Sequence, residues 1–121
     1  MMTGTVSRQQ AMMPVVITQP DGKRLSLEFV VDTGFVGFLT LPIGAVAALG
    51  LPFLFDLPIN LADDSNTNTP VHEARIEWHG AVQTVWVLAT GRRPLLGMSL
   101  LNGSELVVQC VEGGIVSADV L

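Results

Sequence analysis

Between Arg24 and Val31 apolar and polar side chains alternate, with Leu25, Leu27, Phe29 and Val31 set against Ser26 and Glu28. A period of two predicts a strand with one face on a core. The run leads straight into Asp32, so a carboxylate stands at a strand end. Upstream, residues 12–18 form a second strand-like run, and Gln19-Pro20-Asp21-Gly22-Lys23 between the two has the composition of a tight turn. A β-hairpin that delivers Asp32 is the expected result. Residues 1–10 offer only Thr5-Val6-Ser7 as an edge strand.

Beyond Asp32, residues 35–41 read as a second buried strand. Pro42 suits the first position of a short helix through Leu49, with Gly50 as its stop. Residues 53–62 and 71–78 are strand-like, and the eight residues from Asp63 to Pro70 between them are polar or turn-forming, which predicts a protruding hairpin loop. With period two, Ala74, Ile76 and Trp78 face the core, while Glu73, Arg75, Glu77 and His79 face solvent. A strand over 82–88 follows a turn at Gly80, with Trp86 expected in the core. Residues 105–111 and 115–120 flank Glu112-Gly113-Gly114 as a final hairpin. Strands dominate the pattern, so the fold class is all-β with one or two short helices. A length of 121 residues suits a single domain, 1–121.

Charge and composition narrow the function. Only 14% of residues are charged, the net charge is −5, and the six basic side chains never form a run longer than two, which argues against nucleic-acid binding. Cys110 is the only cysteine, so no intrachain disulfide is possible; a buried, inert thiol and a reducing, cytoplasmic setting are expected. Residues 34–55 carry no charge and are long enough to span a bilayer, but Pro42, Pro52 and four glycines interrupt them and Asp32 and Asp56 close them, so no membrane span is expected. His72-Glu73-Ala74-Arg75-Ile76 has Ile where a zinc-protease motif needs its second His. Residues 91–97 have Met98 where a phosphate loop needs Lys. No metal and no cofactor follow from either.

The remaining chemistry lies in Asp32-Thr33-Gly34. Thr33 can donate and accept a hydrogen bond, and Gly34 permits close approach of a backbone or substrate. The stretches Phe29-Val30-Val31-Asp32-Thr33-Gly34-Phe35, Gly37-Phe38-Leu39-Thr40-Leu41-Pro42 and Pro94-Leu95-Leu96-Gly97-Met98-Ser99-Leu100-Leu101, with the Thr3-Gly4-Thr5-Val6 opening, span nearly the whole chain. In these stretches the sequence resembles the single-domain, retropepsin-like aspartic proteases, in particular the small prokaryotic branch with Asp-Thr-Gly-Phe. The resemblance implies a single-lobed, closed acid-protease-type barrel of antiparallel strands. It implies catalysis at Asp32, Thr33 and Gly34, and a flap over the substrate at the 63–70 hairpin. It also implies that Leu95-Leu96-Gly97 passes near the catalytic turn ahead of a short helix at about 99–102. Flap and pocket residues would include Phe35, Ala62, Asp63, Asp64, Ser65 and Leu96. The chain departs from the retroviral pattern in lacking a glycine-rich flap tip, and in having Met98-Ser99 where Arg and then Asp or Asn usually follow the glycine; it also has no Tyr for a pepsin-type flap.

Carboxylate-driven peptide hydrolysis needs one ionised group to take a proton from water and one protonated group to polarise the scissile carbonyl. One chain supplies one Asp-Thr-Gly, so the expectation is a homodimer acting on a polypeptide, with Asp32 of each subunit about a two-fold axis and Thr33 bonding across the interface. The alternative is a catalytically silent dimerisation or peptide-binding module that keeps the same fold.

Overall fold

The computed structural model describes residues 1–60 and 62–121, and among them ten strands and two short helices. The strands are β1 (Met2–Ser7), β2 (Gln10–Thr18), β3 (Arg24–Val31), β4 (Leu39–Leu41), β5 (Phe53–Asn60), β6 (Asn66–Trp78), β7 (Ala81–Ala89), β8 (Leu95–Leu96), β9 (Ser104–Val108) and β10 (Ile115–Val120). The helices are α1 (Ile43–Leu49), between β4 and β5, and α2 (Met98–Leu101), after β8. The mostly-β class expected from the alternation is what the chain adopts.

Strand pairings close on themselves. β6 pairs with β7, β7 with β4, β4 with β8, β8 with β3, β3 with β2, and β2 returns to β6. Two of these pairings, β3–β8 and β4–β7, are parallel, so the ring is not the wholly antiparallel one expected. β1, β10 and β9 continue from β2 as an antiparallel extension that ends at β9. The ring's seam joins Val16, Ile17 and Thr18 to Glu77, Ile76 and Arg75, and Arg24 bridges it with two 2.8 Å bonds to the Glu77 carboxylate. That pairing holds the Arg24 guanidinium above, and Glu77 below, their ordinary pKa values.

Inward positions follow the pleat. Met13, Val15 and Ile17 of β2, Phe29 of β3, Ala74, Ile76 and Trp78 of β6, and Val85, Val87 and Ala89 of β7 form one core with Leu39, Leu41 and Leu96. α1 covers it with Val46 and Leu49. Pro42 is the N-cap of α1 rather than its first residue, and Gly50 ends it in the left-handed conformation (φ 65°) expected of a helix stop. Residues 34–55 are divided among a turn, β4, α1 and β5, and no described helix is long and apolar enough to cross a membrane.

Five further expectations need correction. Of residues 35–41 only Leu39–Leu41 is strand, because residues 35–38 are folded into a loop by backbone bonds to residues 97–99. The loop expected over 63–70 is mostly strand: β6 starts at Asn66, and its residues Asn66 to Pro70 pair with Asn60 to Asp56 of β5 as a two-stranded arm. Thr67 and Thr69 sit opposite Ile59 and Leu57, so β-branched cross-strand neighbours outweigh a polar composition. Trp86 is 49% exposed, since Val85 and Val87 take the inward positions of β7 and the pleat turns residue 86 outward. Cys110 is exposed as well, because β9 stops at Val108 and residue 110 belongs to the following turn. Of the expected 53–62 strand, β5 ends at Asn60, Ala62 lies in the turn, and Leu61 lies outside the described residues.

The two tryptophans should therefore respond differently to truncation. Trp78→Ala, at 4% exposure, should cost about 3 to 5 kcal/mol in urea denaturation. Trp86→Ala loses only an edge-on contact with Phe55 (centroids 5.0 Å apart) and should cost about 1 kcal/mol. Equal losses would contradict the facing of β7.

Candidate active site

β3 carries its ladder with β8 one residue past its own end. The Val30 N–H donates to the Pro94 carbonyl at 2.9 Å and the Asp32 N–H donates to the Leu96 carbonyl at 2.9 Å. Asp32 then turns the chain. Its Oδ1 accepts the Gly34 N–H at 2.9 Å, and its carbonyl accepts the Phe35 N–H at 3.2 Å. A short polar side chain closing on a backbone N–H two residues ahead is an Asx turn, which aims the carboxylate through its own backbone. Asp32 is half-buried, while Thr33 and Gly34 are exposed. A Cβ at Gly34 would lie 3.3 Å from Oδ1, so a side chain there would crowd the carboxylate.

The loop that follows is clamped by a neighbouring segment. Gly97 N–H donates to the Phe38 carbonyl (2.9 Å), Met98 N–H to the Phe35 carbonyl (2.9 Å) and Ser99 N–H to the Gly37 carbonyl (3.0 Å). The Phe35 ring lies against both Gly37 and Gly97; a Cβ on Gly97 would run into the Gly37 carbonyl and the Phe35 ring and lie 2.7 Å from the Phe35 carbonyl. Thr40, a buried polar side chain, steadies the approach to β8: its Oγ1 accepts the Leu95 N–H at 3.2 Å and lies 3.5 Å from the Arg93 carbonyl. The resemblance placed Leu95-Leu96-Gly97 near the turn, as these bonds have it, but neither Gly37 nor Gly97 was among the expected site residues. Their signal was spacing, one glycine two residues after Phe35 and one directly after Leu95-Leu96.

Asp32, Thr33, Gly34, Phe35 and Leu96 are thus brought together, with one correction. The Leu96 side chain is fully buried in the core, so it is not a substrate-facing surface; its contribution is the carbonyl that holds Asp32. Ala62, Asp63, Asp64 and Ser65 are exposed in the turn at the tip of the β5–β6 arm, and none of them bonds to the Asp32 loop. Asp63 Oδ1 accepts the Ser65 hydroxyl at 2.5 Å and its N–H at 3.0 Å, and Asp64 adopts φ 64°. These two bonds, the hydroxyl's first, hold the Asp63 carboxyl below its ordinary pKa. Among the described residues no group of three or more His, Cys, Asp or Glu side chains is placed to hold a metal ion.

Chemically, Asp32 is a carboxylate with one oxygen engaged by its turn and the other without a hydrogen-bond partner among the described residues. It can accept a proton or a hydrogen bond, and among the described residues no second carboxylate is paired with it.

Gly97→Ala should force residues 35–37 away from α2 and cost about 1 to 3 kcal/mol by overpacking. The loss would be read in thermal denaturation together with the backbone amide shifts of residues 32–35. A variant of unchanged stability with unchanged shifts would mean that the clamp is slack. At the arm, a lowered carboxyl pKa means that the Asp63 bonds stabilise the turn above the ordinary carboxylate range and stop doing so as pH falls through the lowered value. In an NMR titration Asp63 should therefore protonate below the ordinary range in the native protein and move up towards it in Ser65→Ala; identical titrations would remove the Ser65 hydroxyl as the cause. Comparison with known proteins finds no family model, no curated protein and no solved structure that matches this chain.

Proposed function

We propose that this chain is an aspartic-type endopeptidase of the retropepsin-like kind, a homodimer that hydrolyses peptide bonds with water activated between the Asp32 carboxylates of its two subunits. The observation that carries this reading is the Asp32 turn. A carboxylate at a strand end is aimed by its own Asx bond, backed by a glycine that leaves it uncrowded, and presented at a loop whose Thr33, Gly34 and Val36 are exposed. Val36 is 86% exposed, which suits a loop that another protein surface covers. The Thr33 hydroxyl makes no hydrogen bond within the chain among the described residues, leaving it for the partner's loop. Two adjacent carboxylates disfavour double ionisation, so a dimer holds one as base and keeps the other protonated as acid.

The closed ring of pairings supports an acid-protease-type barrel on this reading, and the β5–β6 arm, projecting beyond the ring with Ala62 to Ser65 at its tip, is the flap. Phe35 packs the floor of the site. A polypeptide substrate, with no cofactor, metal or nucleic acid, belongs to the same proposal, as does a cytoplasmic location for a chain with one cysteine. A silent dimerisation or peptide-binding module is the second reading. It draws on the same Gly34 to Asp32 bond, which by itself suffices for a structural turn.

Asp32→Asn keeps the size and the turn acceptor but not the ionisable group, so it should fold, dimerise and lack peptidase activity. Mixed with an equal amount of wild type, and with exchange complete, it should leave about a quarter of dimers with two carboxylates and reduce activity per wild-type subunit to about half. Undiminished activity after verified exchange would mean that each subunit works alone.

A further inference from the structure

A groove of about 470 Å³ lies at the end of β3 that leads to Asp32, lined by Arg8, Gln10, Met12, Val30, Arg93 and Pro94. Its position follows from register. Val30, next to last in β3, lies on the strand's outward side and is two residues before Asp32, which continues the ladder past the strand's end. Met12 is paired opposite Val30 across β2, and Pro94 is tied to Val30 by the 2.9 Å backbone bond already described. Along the chain, the groove's Val30 is therefore two residues, roughly 7 Å of backbone, from Asp32.

Its charge runs against that of the molecule. The chain has a net charge of −5 and only six basic side chains, yet two of them, Arg8 and Arg93, line this one groove. Both residues are exposed, and neither guanidinium makes an ion pair or hydrogen bond among the described residues, whereas Lys23 and Arg24 are paired with Asp21 and Glu77. The nearest acid bonded to either arginine is Glu112, which accepts the backbone N–H of Arg8 at 2.9 Å and leaves its guanidinium unengaged. Both arginines are also held at their backbones. Arg8 and Gln9 form a left-handed turn (φ 53° and 63°) between β1 and β2, and the Arg93 carbonyl lies by the buried Thr40 hydroxyl. Two unpaired guanidinia on one groove can receive a carboxylate, which a planar fork of N–H donors matches in two bonds.

From this we infer that the endopeptidase proposed above prefers substrates with Asp or Glu within about three residues of the scissile bond, recognised by Arg8 and Arg93. An extended peptide places alternate side chains on one face about 7 Å apart, the same spacing that separates the groove's Val30 from Asp32 along the backbone. This inference rests on the peptidase reading, and its test separates the two.

The wild-type protein would be profiled on a tryptic proteome-derived peptide library. One cleaved peptide would then be made as a Glu/Gln pair, both amidated at the C-terminus so that only a side-chain carboxylate differs. The expected ratio of kcat/KM, Glu over Gln, is about tenfold, falling towards one in Arg8→Gln/Arg93→Gln. Cleavage with no acidic preference, or a preference unchanged in the double variant, would overturn the inference and leave the peptidase reading standing. A dimer that dissociates in the double variant, with selectivity retained, would also overturn it and assign the guanidinia to the subunit interface.

A second measurement needs no turnover. Fluorescein-labelled, amidated Ala-Val-Glu-Leu-Val-Ala should bind the Asp32→Asn protein more tightly than its Gln counterpart by a similar factor, and the difference should vanish when both arginines are replaced. If that holds while no peptide is cleaved, the peptidase reading fails and carboxylate recognition by the groove stands. Equal binding of the two peptides overturns the inference.

Discussion

Everything at the candidate site depends on one backbone hydrogen bond, from the Asp32 N–H to the Leu96 carbonyl. It extends the parallel β3–β8 pairing past the last residue of β3, so the carboxylate is held by a sheet rather than by a free loop. Leu96 is itself fully buried and paired with Leu39 of β4 on its other side. Position is therefore transmitted from the core through Leu96 to Asp32. The three bonds from residues 97–99 to residues 35–38 then fix where the chain goes next, and the glycines at 37 and 97 are the spaces that let two backbones and a phenyl ring meet there. A side chain offered for binding or chemistry needs a firm supporting shell. Here that shell is mostly main chain, which has few alternative rotamers to relax into.

Elements whose boundaries rest on local chemistry were readable from sequence. β3 and β10 begin and end where the alternation does, because Pro20-Asp21-Gly22 and Gly113-Gly114 mark turns that neighbouring side chains do not override. α1 was readable because Pro42 and Gly50 bracket it. The failures share a cause: the deciding contact is distant in sequence. Residues 35–38 are apolar enough for a strand, but their hydrogen bonds go to residues 97–99, some sixty positions away. Residues 66–70 look like loop, yet they gain a ladder from β5. Trp86 and Leu96 show the same limit within strands, since an apolar run without alternation does not say which face is inward until the neighbours are known.

The site divides along the same line. Asp32, Thr33 and Gly34 could be named because the tripeptide follows a strand, and their turn chemistry is contained within three residues. Gly37 and Thr40 act through non-local backbone contacts that no local pattern announces, and Gly97 was placed near the turn only by resemblance. Arg8 and Arg93 are eighty-five positions apart and unremarkable in either local context. Only the closure of β2 against β3, and of β3 against β8, brings them to one groove.

A lone, half-exposed carboxylate is also a poor catalyst on physical grounds, which bears on why the dimer is central to the proposal. In water its charge is screened, so it perturbs a nearby water only weakly. Covering the exposed Thr33, Gly34 and Val36 with a second copy of the same loop would lower the local dielectric and bring in a second carboxylate at the same step. Both changes act in one direction, raising the cost of double ionisation and keeping one proton at the site. In the proposed dimer the arm would exclude bulk water from the open side, and substrate groups on the groove would complete the enclosure. On this view assembly, proton retention and substrate capture are one event, and each half of the site is incomplete because its chemistry requires a neighbour of the same kind.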